Sequence, residues 1–176
     1  MKFYEKKVGG KIIYDGKILR LEVDDVQLPD GSAAKRECVR HSGGAAVLFV
    51  RDGKVLLVKQ YRYLYGKEIY EIPAGKAEAG EAPSLAAERE LEEETGYRAK
   101  VKPFLTLYPT PGYTDEVISI FLAEEAEFVG QKTDEGEFLE CEAVELEKAM
   151  GMIESGEICD AKTVAALYKY CLLKNV

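Results

Sequence analysis

Five glutamates, Glu88, Glu90, Glu92, Glu93 and Glu94, fall within seven positions of the stretch GKAEAGEAPSLAAERELEEETGY at residues 75–97. Pro83 suits the first turn of a helix and Gly96 its C′ position, so the segment from about Pro83 to Thr95 reads as a helix of roughly three turns. At 100° per residue, Glu90, Glu93 and Glu94 lie within an arc of about 100°, with Glu88 and Glu92 on roughly the opposite side. Like charges at i and i+4, such as Glu90 and Glu94, oppose a helix by a few tenths of a kcal/mol per pair, so three carboxylates on one face call for a positive partner. A hard divalent cation fits that demand, because Mg²⁺ is typically held by one or two carboxylates together with substrate phosphates. Taken on the helix alone, a solvated acidic face is the alternative.

The spacing decides between them. Gly75, Glu81, Arg89, Glu90, Leu91, Glu93, Glu94 and Gly96 fit G-x(5)-E-x(7)-R-E-L-x-E-E-x-G, and Tyr97 fills the final bulky position, which is usually aliphatic. This resembles the Nudix box of the Nudix hydrolases, with every polar and glycine position filled. The resemblance implies a loop-helix-loop whose carboxylates bind Mg²⁺ or Mn²⁺ and a substrate diphosphate. It assigns Glu90 and Glu94 as direct metal ligands, Glu93 as a ligand directly or through water, and the Ala74 carbonyl as a backbone ligand. Glu81 and Arg89 become supports, and an Arg89–Glu93 pair at i, i+4 would orient the acidic face within the catalytic set.

The elements that must position this helix read as follows. Ile12–Tyr14 and Ile18–Leu28 flank Asp15-Gly16, Leu28 meets Lys35–His41 across Pro29-Asp30-Gly31, and Ala45–Val50 meets Val55–Gln60 across Asp52-Gly53. Each Asp-Gly signals a hairpin, because such a turn needs positive φ, and antiparallel pairing follows. After the box, Val101–Leu107, Val117–Leu122 and Phe138–Val144 read as strands. Val144–Glu154 and Asp160–Leu173 read as helices, the last with Asp160 as N-cap and Val164, Leu167, Tyr168, Cys171 and Leu172 on one apolar face. Strands, helix, strands, helices define an α+β class with a mixed sheet between helices. Residues 1–42 are expected to form an N-terminal antiparallel β segment and residues 43–176 the hydrolase domain.

The 176 residues suit one domain with a small appendage, and 47% hydrophobic content supplies a sizeable core. A net charge of −8 argues against nucleic acid as a partner, and no apolar run approaches a membrane span. MKFYEKKVGG lacks a signal peptide's apolar core, and Cys38, Cys141, Cys159 and Cys171 form no CxxC pair or zinc spacing, so a soluble protein with free thiols in the cytoplasm is expected.

Outside the box, Gln60-Tyr61-Arg62, Glu71-Ile72-Pro73-Ala74-Gly75 and Pro109-Thr110-Pro111-Gly112-Tyr113-Thr114-Asp115-Glu116 look like the ADP-ribose pyrophosphatase branch of the family. Pro111 falls fourteen residues after Tyr97, close to the branch's usual register. This resemblance implies Arg62 as a contact for phosphates or terminal ribose, Arg36 as a second contact from a partner subunit, and Glu71 and Pro111 beside the substrate. A surface position is the alternative for Arg36. Tyr14 is a candidate for adenine stacking, with packing the alternative. The acidic stretch Thr133–Glu137 looks like the loop that delivers the catalytic glutamate, with Glu135 first choice and Glu137 second. The implied reaction is Mg²⁺-dependent hydrolysis of a nucleoside diphosphate sugar by a homodimer, ADP-ribose giving AMP and ribose 5-phosphate. Other ADP- or GDP-sugars or nucleotides, and a non-catalytic ADP-ribose-sensing module, are the alternatives.

Overall fold

The computed structural model describes residues 2–78, 80–133, 136 and 138–174. They form two compact units, Met1–Gly43 with Tyr108–Val117, and Gly44–Leu107 with Ile118–Val176.

In the first unit, β1 (Lys6–Asp15), β2 (Leu19–Gln27) and β3 (Ala33–His41) make an antiparallel sheet in that order. The segment Tyr108–Val117 joins this unit along β3. Val39 N–H donates to the Tyr113 carbonyl at 2.7 Å, and the Asp115 carboxylate accepts from His41 N–H at 2.9 Å and Arg40 Nη1 at 3.2 Å. The hairpin positions were expected, but Gly16 does not owe its place to positive φ, since it lies outside that region. Its N–H closes the turn on the Leu19 carbonyl at 3.0 Å, and a Cβ there would overlap the Tyr14 ring. Glycine is needed at that turn for space.

The second unit contains β4 (Gly44–Arg51), β5 (Lys54–Arg62), β6 (Lys67–Glu71), β7 (Ala74–Gly75), α1 (Pro83–Thr95), β8 (Tyr97–Leu107), β9 (Ile118–Phe128), β10 (Leu139–Glu145), α2 (Leu146–Glu154) and α3 (Ala161–Lys174). Asp52 (φ 51°) and Gly53 (φ 76°) join β4 to β5 with both central residues left-handed, as a two-residue hairpin turn demands. The seven strands run β10-β5-β4-β9-β8, with β6 beside β5 and β7 beside β4. Among the described residues of this sheet, β4 and β9 pair in parallel and the other pairs are antiparallel, so the sheet is mixed.

Alternate residues of β4 serve opposite faces. Ala46 and Leu48 join Leu57, Ile72, Ile120, Leu146 and Leu167 in one core, while Ala45, Val47 and Phe49 join Ala86, Ala87, Leu91 and Phe121 in the other. Helices α2 and α3 thus cover one face and α1 the other, the α+β arrangement expected. Among the described residues, no helix is long and apolar enough to cross a membrane.

Helix α3 departs from its expected face. Asp160 caps it as foreseen, its Oδ2 accepting Thr163 N–H at 3.0 Å. The buried residues are Lys162, Thr163, Ala166, Leu167 and Cys171, whereas Tyr168 and Leu172 are exposed. The helix is turned so that two polar residues of its first turn meet polar groups at the end of β6.

Candidate active site

Helix α1 spans the segment its Pro83 and Gly96 mark. Gly96 is left-handed (φ 77°) and its N–H closes the helix on the Glu92 carbonyl at 2.8 Å. Ala86, Ala87 and Leu91 anchor the helix to the sheet. Around that buried stripe the glutamates divide as their angles require. Glu88 pairs with Lys100 at 3.0 Å and Glu92 with Arg98 at 2.7 Å, away from the convergent set.

Arg89 gathers that set. Its Nε and Nη2 donate to the two Glu81 oxygens at 3.2 and 3.1 Å, its Nη1 donates to Glu90 and Glu93 at 2.8 Å each, and Nη2 also reaches the Lys76 carbonyl at 3.0 Å. The Glu81 bonds, with the Glu90 and Glu93 charges, hold the guanidinium protonated well above its already high range, and Arg89 in turn holds Glu81 below the usual carboxylate range. Glu94 is buried, and its Oε2 accepts Ala74 N–H at 2.9 Å. Gly75 leaves room for the Glu90 carboxylate, which a Cβ at that position would overlap. The loop before α1 and the helix are therefore fitted together through Glu81, Glu90 and Glu94.

Three carboxylates converge on one guanidinium, with Glu94 on the same helix face. An all-oxygen set of this charge fits a hard divalent cation. Among the described residues no three acidic, histidine or cysteine side chains are already gathered around one point. Arg89 Nη1 stands between Glu90 and Glu93. The nearby Cys141 thiol is pushed up to about 11 by burial and by the Glu94 charge, so it remains neutral.

A second charged cluster forms where β6 enters the box. Arg62 grips Glu71 with Nε at 2.5 Å and Nη2 at 2.9 Å, and the Lys162 ammonium bonds the same carboxylate from α3. Burial pushes the Glu71 carboxyl up, but its bonds to Arg62 and Lys162 outweigh this, and it titrates below its usual range. Arg62 is raised, chiefly by its bond to Glu71 and further by the charges of Glu71 and Glu94. Lys162 was not anticipated. Its only signal was a lysine four residues before Ala166, on a face that counting apolar residues ranks low.

The remaining candidates lie elsewhere. Tyr14 is exposed near the end of β1, Arg36 on β3 is paired with Glu5 at 2.9 and 2.7 Å, and Pro111 is exposed in a turn, all within the first unit. Glu135 and Glu137 lie outside the described residues.

This fold and site define a class. The NUDIX domain matches residues 39–167, a nucleoside diphosphate sugar hydrolase N-terminal domain matches residues 5–39, and the chain belongs to the Nudix family. It is a Nudix pyrophosphohydrolase, and enzymes of this family work with a divalent metal. Among its relatives is the ADP-ribose pyrophosphatase of Bacillus subtilis (strain 168), 49% identical over 175 residues that cover 97% of this chain and 94% of that protein. The methanol dehydrogenase activator of Bacillus methanolicus is 41% identical over 169 residues, covering 94% and 91%. A solved structure described as an ADP compounds hydrolase superposes with a TM-score of 0.83 over 97% of this chain and 92% of its own, at 20% identity, a likeness of fold.

Proposed function

We propose that the protein hydrolyses the diphosphate bond of ADP-ribose to AMP and ribose 5-phosphate, with Mg²⁺ held by Glu90, Glu93, Glu94 and the Ala74 carbonyl. The observation that carries this reading is the acidic face of α1, where Glu81, Glu90 and Glu93 converge on Arg89 and Glu94 reaches the backbone of Ala74. A divalent cation bound there supplies polarisation of the phosphate oxygens and a lowered pKa for the attacking water. Arg89 orients the carboxylates of Glu81, Glu90 and Glu93. Arg62, with its side chain 43% exposed and fixed by Glu71, meets the substrate phosphates or terminal ribose. Glu135 takes the proton from water, with Glu137 the second choice for that base. Arg36, reached from a partner subunit, is a second substrate contact, and Tyr14 and Pro111 are further candidates for substrate contact.

The same reading includes a cytoplasmic homodimer. The exposed Val8, Ile12, Ile13 and Tyr14 of β1 support an apolar contact between copies, and four free cysteines are consistent with a reducing compartment. A second reading, ligand recognition that regulates a partner, draws on the likeness to a protein named an activator. The complete Glu90-Glu93-Glu94 set favours hydrolysis.

Product analysis of ADP-ribose, ADP-glucose, GDP-mannose, NADH and 8-oxo-dGTP, with Mg²⁺ and then with EDTA, tests the proposal. AMP released fastest from ADP-ribose, and only with metal, is expected. Faster cleavage of another substrate would retain the chemistry and replace the substrate. Binding of ADP-ribose with no cleavage would leave the regulatory reading.

A further inference from the structure

Lys162 belongs to none of the motifs, lies 91 residues from its carboxylate partner and is only 8% exposed. A lysine is seldom withdrawn from water unless an anion is fixed to meet it. Its ammonium bonds Glu71 Oε2 and lies 3.1 Å from Asp160 Oδ2. Glu71, itself 4% exposed, divides its oxygens between Lys162 and the Nε and Nη2 of Arg62. Thr163 braces the arrangement, its Oγ1 donating to Asp160 Oδ2 at 2.6 Å and accepting Ile72 N–H at 2.8 Å. The first turn of α3 therefore fixes residues 71 and 72. The next two are held from the other side, by Val47 N–H on the Pro73 carbonyl at 2.9 Å and by Glu94 on Ala74 N–H at 2.9 Å.

Charge gives Lys162 its task. Arg62 and Glu71 alone would form a neutral pair that leaves the inner lone pairs of a buried carboxylate unmet, because the Arg62 fork donates once to each oxygen. Lys162 occupies the inner side of Glu71 and keeps it ionised, so Glu71 engages Arg62 through two of the guanidinium's five N–H donors. The other donors, on a side chain 43% exposed, remain for an anion. We infer that Lys162 is a positioning residue for substrate binding, which acts through Glu71 to orient Arg62 toward the diphosphate. This rests on the reading of Arg62 as a substrate contact.

Calorimetric binding of ADP-ribose in EDTA, beside steady-state kinetics in Mg²⁺, separates the two ideas in Arg62→Ala, Lys162→Met, Lys162→Arg and the Arg62→Ala/Lys162→Met double variant. Each of the Ala and Met single variants should weaken binding about tenfold, the loss of one charge-assisted contact, with the change carried mainly by KM. Lys162→Met should add nothing once Arg62 is gone, and Lys162→Arg should recover part of the affinity. If Lys162→Met does not fold, Glu71→Gln takes its place with the same expectations. Weak binding by Arg62→Ala with normal binding by Lys162→Met overturns the inference alone. Normal binding by Arg62→Ala removes the Arg62 reading and the inference with it. Equal losses from Lys162→Met with and without Arg62 would make the lysine a purely structural residue and overturn its positioning role.

Discussion

Around Arg89 one guanidinium meets the carboxylates of Glu81, Glu90 and Glu93, whereas around Glu71 one buried carboxylate meets the cations of Arg62 and Lys162. The clusters use the same chemical groups in opposite proportion. The first, on a partly exposed helix face, gathers carboxylates around one guanidinium. The second is closed from within by Asp160 and turns its exposed edge outward as Arg62. Arg62 also feels the charge of Glu94, so the two fields overlap. On the proposed function, a protein of net charge −8 would receive a polyanion by reversing the local field with a bound metal and the oriented Arg62.

The sharpest way to break this comparison is to remove charge from the acidic cluster. Glu94→Gln keeps an oxygen to accept Ala74 N–H, so the fold should persist by circular dichroism while kcat falls by roughly 10²–10⁴. Kinetics equal to wild type would take Glu94 out of the site. In the balanced cluster the largest effect should be on stability. Glu71→Ala leaves Arg62 and Lys162 without their common anion, and chemical denaturation should show a loss of about 3–5 kcal/mol, as for other broken buried pairs.

Protonation offers a gentler version of the same cut. Folding favours ionised Glu71, so its contribution is complete above the unfolded carboxylate value of about 4.3 and is lost as pH falls through the lower folded value. The gap in melting temperature between wild type and Glu71→Gln should be widest near neutral pH and narrow below that value. A gap that widens in acid would reverse the assignment. The smallest effect belongs to the wrong side of α1. Glu92→Ala removes only the exposed pair with Arg98, and both kcat and melting temperature should stay within experimental error.

Local signals were legible in the sequence and distant ones were not. Pro83 and Gly96 delimit α1 because each acts on the backbone beside it, and the angular split of the glutamates follows from helix geometry alone. Asp52-Gly53 announced its hairpin for the same reason. The parallel pairing of β4 with β9 joins residues more than seventy apart, and no turn records it. Lys162 escaped notice because its burial depends on Glu71, while the apolar Tyr168 and Leu172 on the expected stripe face outward. In β2, alternation would send charge to solvent, yet Glu22 and Asp24 are buried against Arg40 at 3.1 Å and Lys7 at 2.6 Å. Ion pairing between strands overrides a pattern that one strand alone displays.

The most direct test of the central claim is a Mn²⁺ titration followed by electron paramagnetic resonance, comparing wild type, Glu92→Ala and Glu94→Gln. Wild type and Glu92→Ala should quench the free-ion signal alike, while Glu94→Gln should leave most of it at the same protein concentration. Equal quenching by all three would contradict the account, because the cation would then be held somewhere other than the Glu90-Glu93-Glu94 face.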